Sequence, residues 1–131
     1  MKLEIDRTKW LRGEGSDASR LLRPSDGKMC CLGFACLAAG YAPVNIENKS
    51  TVKQVTDMFG RKPNIEPLFI PRHLDEPSKY ENWDVYEAFQ ANDQRYADSD
   101  MTLTEEEFEA AREKRIVELL AKIGFEVTFV N

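Results

Sequence analysis

At 131 residues, the chain suits one domain that can bury a core without disulfide or metal staples. Hydrophobic residues at 42% and charged residues at 31% exclude a disordered low-complexity chain and a fibrous repeat. A net charge of -5 argues against whole-protein attraction to nucleic acid or to an anionic membrane.

The first residues, Met1 to Asp6, lack the basic-then-apolar order of a signal peptide. The longest nearly apolar run, Met29 to Ala39, has 11 residues. A membrane-spanning helix needs about 20, so this run reads as a core segment. Three cysteines, two of them adjacent, do not make the even, spaced set of a secreted scaffold. Reduced thiols and a cytoplasmic protein are expected.

Leu3-Glu4-Ile5 alternates as a strand does. Asp6 suits a helix cap before Thr8 to Leu11, with Gly13 as the stop. Residues 13–19 read as a loop, and Leu21-Leu22 as an extended piece entering a turn at Pro24 to Gly27. Met29 to Ala39 predicts a helix closed by Gly40 and apolar on every face, hence buried on every face. Pro43 to Asn48 predicts a turn of helix. Thr51 and Gln54 then form a capping-box pattern before Val52, Val55 and Phe59, with Gly60 as the stop.

Four prolines in residues 61–77 predict little regular structure beyond an edge strand at Leu68-Phe69-Ile70. Ser78 and Glu81 repeat the capping pattern ahead of a helix through Trp83, Val85, Tyr86 and Phe89, ending near Asn92. Thr104 caps the last helix, with Glu105 to Glu107 at the positive end of its dipole. Phe108, Ala111, Ile116, Leu119, Leu120 and Ile123 mark its buried stripe, and Gly124 its end. Phe125 to Val130 alternates as a strand and is the natural partner of Leu3 to Ile5. The expected fold is α+β, one small domain over residues 1–131. Four to five helices surround the buried Cys-Cys-Leu-Gly helix, and a small sheet includes the N- and C-terminal strands.

Charge is unevenly distributed. Residues 1–62 hold 11 Lys/Arg and 7 Asp/Glu, a net +4, while residues 63–131 hold 7 and 16, a net -9. Residues 75–109 alone hold 12 acids and 2 bases. The basic residues Arg7, Lys9, Arg12, Arg20, Arg23 and Lys28 surround Trp10. A solvated face that pairs with the acidic half of the same molecule is the reading that fits the net charge. Direct nucleic-acid binding is therefore not expected, and neither is membrane binding.

Three sets of residues invite chemistry. Cys30, Cys31, Cys36 and His73 are the soft-ligand set, but adjacent helical cysteines point about 100° apart and fail zinc spacing. Cys36 with His73 and a carboxylate such as Asp75 is a weak candidate for nucleophilic catalysis, with Cys30 an alternative nucleophile. Residues 98–109 place oxygen side chains at calcium-loop positions through Asp98, Asp100, Thr102, Glu106 and Glu109. The required turn glycine is replaced by Leu103, and a capped acidic helix start explains the same residues. No cofactor is called for. Beyond these, the acids Asp93, Asp98, Asp100, Glu105 and Glu106 are candidate contacts to a partner with a basic surface.

Trp10-Leu11-Arg12-Gly13, Leu21-Leu22-Arg23 and Gly27-Lys28-Met29-Cys30-Cys31-Leu32-Gly33-Phe34 together resemble small uncharacterised proteins encoded by bacteriophages and prophages. Phe89-Gln90-Ala91-Asn92-Asp93 is similar to the Leu-x-x-x-Asn-Asp segment many of those proteins carry, with Phe in place of Leu. The resemblance is specific around residues 10–34 and loose across 41–90. It implies a phage accessory protein in the bacterial host cytoplasm, non-enzymatic, acting by binding host proteins such as defence complexes. The alternatives are a small cysteine-dependent enzyme or a calcium-binding module at residues 98–109.

Overall fold

The computed structural model describes residues 1–12, 20–68, 87–88, 90–92 and 104–131. Strands β1 (Lys2–Asp6) and β2 (Glu126–Val130) pair in parallel, with Leu3 opposite Val127 and Ile5 opposite Phe129. The alternation read at both termini is thus one two-stranded sheet. It turns Leu3, Ile5 and Val127 inward while Lys2, Glu4, Glu126 and Thr128 face solvent. A parallel pair cannot be closed by a hairpin, so the helices must lie between the two strands in the chain. The result is the mixed α+β domain expected.

Helix α1 (Cys31–Ala39) lies at the centre and touches β1 and the 3-10 turn at Pro63–Leu68. Cys31 to Cys36 are all buried, as an all-apolar helix requires. It starts two residues later than expected. Met29 is held in extended backbone by Trp10: Leu11 N–H donates to the Met29 carbonyl at 2.7 Å, and Met29 N–H to the Lys9 carbonyl at 2.9 Å. Gly40 ends α1 at φ 109°, a backbone region that glycine enters at no steric cost.

Gly33 has a different reason to be glycine. A Cβ placed there would lie 2.0 Å from the Leu21 carbonyl oxygen. The extended piece at residues 20–22 therefore runs directly against the α1 backbone. Cys30 N–H donates to the Arg20 carbonyl at 3.1 Å, and Leu21 N–H to the Lys49 carbonyl at 2.9 Å.

Helix α2 (Pro43–Ile46) and helix α3 (Val52–Phe59) follow. Thr51 caps α3 reciprocally with Gln54, and Val52 and Val55 are buried. Phe59 departs from the expected stripe: it sits at the end of α3 and is exposed, as is Met58. Leu68 departs too, closing the 3-10 turn rather than an edge strand, and is fully buried there. Pro63 opens that turn, where a missing N–H costs nothing. Phe69 and Ile70 lie outside the described residues. Asp6 caps no helix; its carboxylate accepts from the Thr8 N–H and hydroxyl in a tight turn before the Trp10 bridge.

Helix α4 (Glu105–Ala121) packs against β2. Thr104 caps it by accepting from Glu107 N–H at 3.1 Å, while its hydroxyl donates to the Glu107 carboxylate at 3.0 Å. Ile116, Leu119, Leu120 and Ile123 are buried as expected, each of these side chains contributing about 1.5–3 kcal/mol. Ala111 is exposed and Phe108 half-buried; Arg112, one turn before Ile116 on the same face, is buried instead. Residues 87–88 and 90–92 are helical, as expected for the stretch ending at Asn92. Trp83, Val85, Tyr86 and Phe89 lie outside the described residues.

Candidate functional site

The two ends of the chain meet in a stack of cations and rings. Arg7 lies over the Phe129 ring at 5.6 Å, Phe129 tilts against Trp10 at 4.8 Å, and Arg12 covers Trp10 at 4.5 Å. Both guanidinium groups turn their donors to α4. Arg7 donates to both carboxylate oxygens of Glu113, at 3.0 and 2.7 Å, a bidentate fork. Arg12 donates to Glu109 at 2.9 Å. Glu109 and Glu113 are one helical turn apart and so share a face. A third pair joins α4 to the helical residues before Asn92, with Arg115 donating to Glu87 at 3.2 Å.

The expected pairing of the basic front half with the acidic back half is therefore present at Arg7 and Arg12. Other members of the basic cluster pair within the front half, Arg20 with the Asn48 side chain 28 positions away and Arg23 with nearby Asp26. Lys9 is exposed. The proposed partner contacts Glu105 and Glu106 sit exposed on the first turn of α4. Asp93, Asp98 and Asp100 lie outside the described residues.

Asn92 is a residue that the local pattern did not single out. It is fully buried, and its carboxamide hydrogen-bonds to Trp10, Cys31 and Leu11. Its Oδ1 accepts from Trp10 Nε1 at 2.7 Å and from Cys31 N–H at 3.0 Å. Its Nδ2 donates to the Leu11 carbonyl at 2.9 Å. Cys30 occupies the N-cap of α1 and offers it no side-chain acceptor. Asn92 supplies that acceptor from a distant part of the chain, satisfying one of the four otherwise unpaired amide donors of a helix start. The signal in the sequence was its place in the Asn-Asp segment.

Cys30, Cys31 and Cys36 are thiols outside any disulfide among the described residues, each fully buried. The Cys31 thiol points to the Ala88 carbonyl, 3.9 Å away. Activation of a thiol needs an electropositive, partly open surrounding, and full burial denies these three the open side. His73 and Asp75, the partners drawn for Cys36, lie outside the described residues. No group of three His, Cys, Asp or Glu converges on a metal-sized site among the described residues.

Of the calcium-loop candidates, Asp98, Asp100 and Thr102 lie outside the described residues. Glu106 is exposed. Glu109 would be the bidentate ligand, but its two oxygens already face two guanidinium groups: Arg12 at 2.9 Å and the buried Arg112 at 3.8 Å. A calcium ion would have to displace both.

No family model, curated protein or solved structure matches the chain. Among the described residues, no helix is long and apolar enough to cross a membrane.

Proposed function

We propose that this chain is a non-enzymatic binding protein whose partner presents a basic surface. The observation that carries this reading is the internal use of the front-half cations. Arg7 and Arg12 are committed to Glu113 and Glu109, while Glu105 and Glu106 stay exposed on the same helix. Charge complementarity then favours a cationic partner, with steering that falls as salt rises. The five contact residues in this reading are Asp93, Asp98, Asp100, Glu105 and Glu106. The resemblance to phage and prophage proteins supplies the setting: an accessory protein in the host cytoplasm that occupies a host protein, such as a defence complex, at its nucleic-acid groove.

The cysteine-enzyme reading gains no support from three buried thiols, and the calcium reading none from an engaged Glu109. The test is capture from bacterial lysate at about 50 mM and about 500 mM salt, where screening differs several-fold. The wild-type protein retains a specific basic partner at low salt and loses it at high salt. The quintuple reversal of Asp93, Asp98, Asp100, Glu105 and Glu106 to Lys loses it at both. A partner that is indifferent to the reversal, or no partner at either salt, overturns the reading.

A further inference from the structure

Strand β1 turns only every second residue's backbone groups toward β2. The Met1 carbonyl accepts from Glu126 N–H at 2.8 Å, and Arg7 N–H donates to the Val130 carbonyl at 2.9 Å. Those two bonds fix the phase of the parallel ladder. The odd residues from Met1 to Arg7 face β2, and Lys2, Glu4 and Asp6 point their N–H and C=O groups the other way. The Asp6 carbonyl is taken by Lys9 N–H at 2.9 Å. The outward backbone groups of Lys2 and Glu4 meet no partner among the described residues, and both side chains are exposed. A sheet edge of that kind is a template for another strand.

The order of residues along the edge says which strand fits. A second β1 laid antiparallel, with the two-fold axis at Leu3, sets Lys2 opposite the partner's Glu4 and Glu4 opposite the partner's Lys2. All four residues point their backbone groups across the junction, so each pair exchanges two hydrogen bonds. The same register places unlike charges directly opposite on the solvent face, and Leu3 against the partner's Leu3 on the inner face. It also brings Met1, 45% exposed in a single copy, opposite the partner's Ile5. The neighbouring registers that satisfy the backbone set Lys2 against Lys2 or Glu4 against Glu4, like charges that repel. We infer that β1 is a self-association edge, through which two copies of the chain join their two-stranded sheets into one. So short an edge supports a weak, rapidly exchanging dimer rather than a permanent one. This interface goes beyond the proposed partner binding and does not depend on it, because Glu105 and Glu106 lie on α4.

Sedimentation equilibrium of the whole chain at low salt, from about 10 μM to about 1 mM, spans the affinities such a contact can have. The wild-type protein should show a monomer–dimer equilibrium. Lys2→Glu and Glu4→Lys each make both cross-strand pairs repulsive, and each should weaken the dimer about tenfold. Both positions are exposed, so the monomer should keep its fold, which far-UV circular dichroism checks. Mixing the two variants in equal amounts restores both pairs in a heterodimer, and the Lys2→Glu/Glu4→Lys double swap restores them in a homodimer. Each should associate within about threefold of the wild-type protein, the recovery that a direct pairwise contact requires. A wild-type chain that stays monomeric up to about 1 mM overturns the inference. So does a dimer that the single reversals leave unchanged, which another surface must hold, and so does a mixture that fails to recover association.

Discussion

The Trp10 indole donates to the Asn92 carboxamide at 2.7 Å, across 82 positions of sequence and inside the core. The same oxygen accepts from the Cys31 N–H, and Nδ2 of the same carboxamide donates to the Leu11 carbonyl. One side chain thus joins the start of α1, the extended segment after β1 and the helical residues before α4. Asn92→Ala strands a buried indole N–H, a helix-start N–H and a carbonyl together. Each lost partner costs about 1–3 kcal/mol, so a fall of about 3 kcal/mol or more in unfolding free energy is expected. Trp10→Phe removes a single donor and should cost about half as much. Urea denaturation of the two variants checks this; equal and small effects would mean the junction is incidental.

Gly33 and Gly60 separate two reasons for being glycine. Gly33→Ala drives a Cβ to within 2.0 Å of the Leu21 carbonyl oxygen, so the chain or the helix must shift. Overpacking of that kind costs about 3 kcal/mol or more. Gly60 has φ 81° and ψ 163°, a region essentially reserved for glycine, with open space around it, so Gly60→Ala meets only backbone strain, about 1–3 kcal/mol. Thermal melts should rank the variants in that order, and a reversed ranking would refute the close approach of residues 20–22 to α1.

Locally encoded features were legible in the sequence. The caps at Thr51 and Thr104 are hydrogen bonds made within three residues, and both form. The terminal strands show a two-residue period, and they pair. What escaped was set by distant partners. The start of α1 is delayed because Met29 pairs with Trp10, 19 positions earlier. Arg112 is buried where Ala111 was expected, beside Phe108 and Glu109, with its guanidinium 5.4 Å from the Phe108 ring. The role of Asn92 depends on partners 61 to 82 positions away, which no local period can reveal. At the candidate site, the sign of the pairing was legible from the split charge, and the choice of Glu109 and Glu113 was not.

The thiols of Cys30, Cys31 and Cys36 should be slow to react in the native protein. All three are fully buried, so alkylation requires opening of α1 rather than simple collision. Iodoacetamide at neutral pH should label none of them on the time scale in which a free thiol is consumed, and all three in denaturant. Rapid native labelling of Cys36 or Cys30 would restore the cysteine-enzyme alternative.

Calcium should leave the melting temperature unchanged. A ligand that binds only the folded state raises it in proportion to the logarithm of its concentration over Kd. With Glu109 held by Arg12 and Arg112, the twelfth position of the loop is already engaged, and Leu103 stands where the turn needs glycine. A thermal melt with about 5 mM calcium, enough for even a weak extracellular-type site, should overlay the melt with chelator. An upward shift of several degrees would return residues 98–109 to consideration as a calcium loop.

Asp26 supplies a pH-dependent element of the turn that precedes α1. Hydrogen bonds from Arg23, then from the Lys28 N–H, hold its carboxyl at about 2, below the ordinary 3.8. The folded form is therefore the stronger acid. Its contribution to stability is fully present above about pH 4, and is lost as pH falls through about 2. The carboxyl titration, followed by NMR, should have its midpoint near 2 in the wild-type protein. Arg23→Gln removes the largest cause and should move that midpoint up toward 3.8. If the midpoint stays near 2 in the variant, the Arg23 fork is not what holds the charge, and the Lys28 amide carries the turn instead.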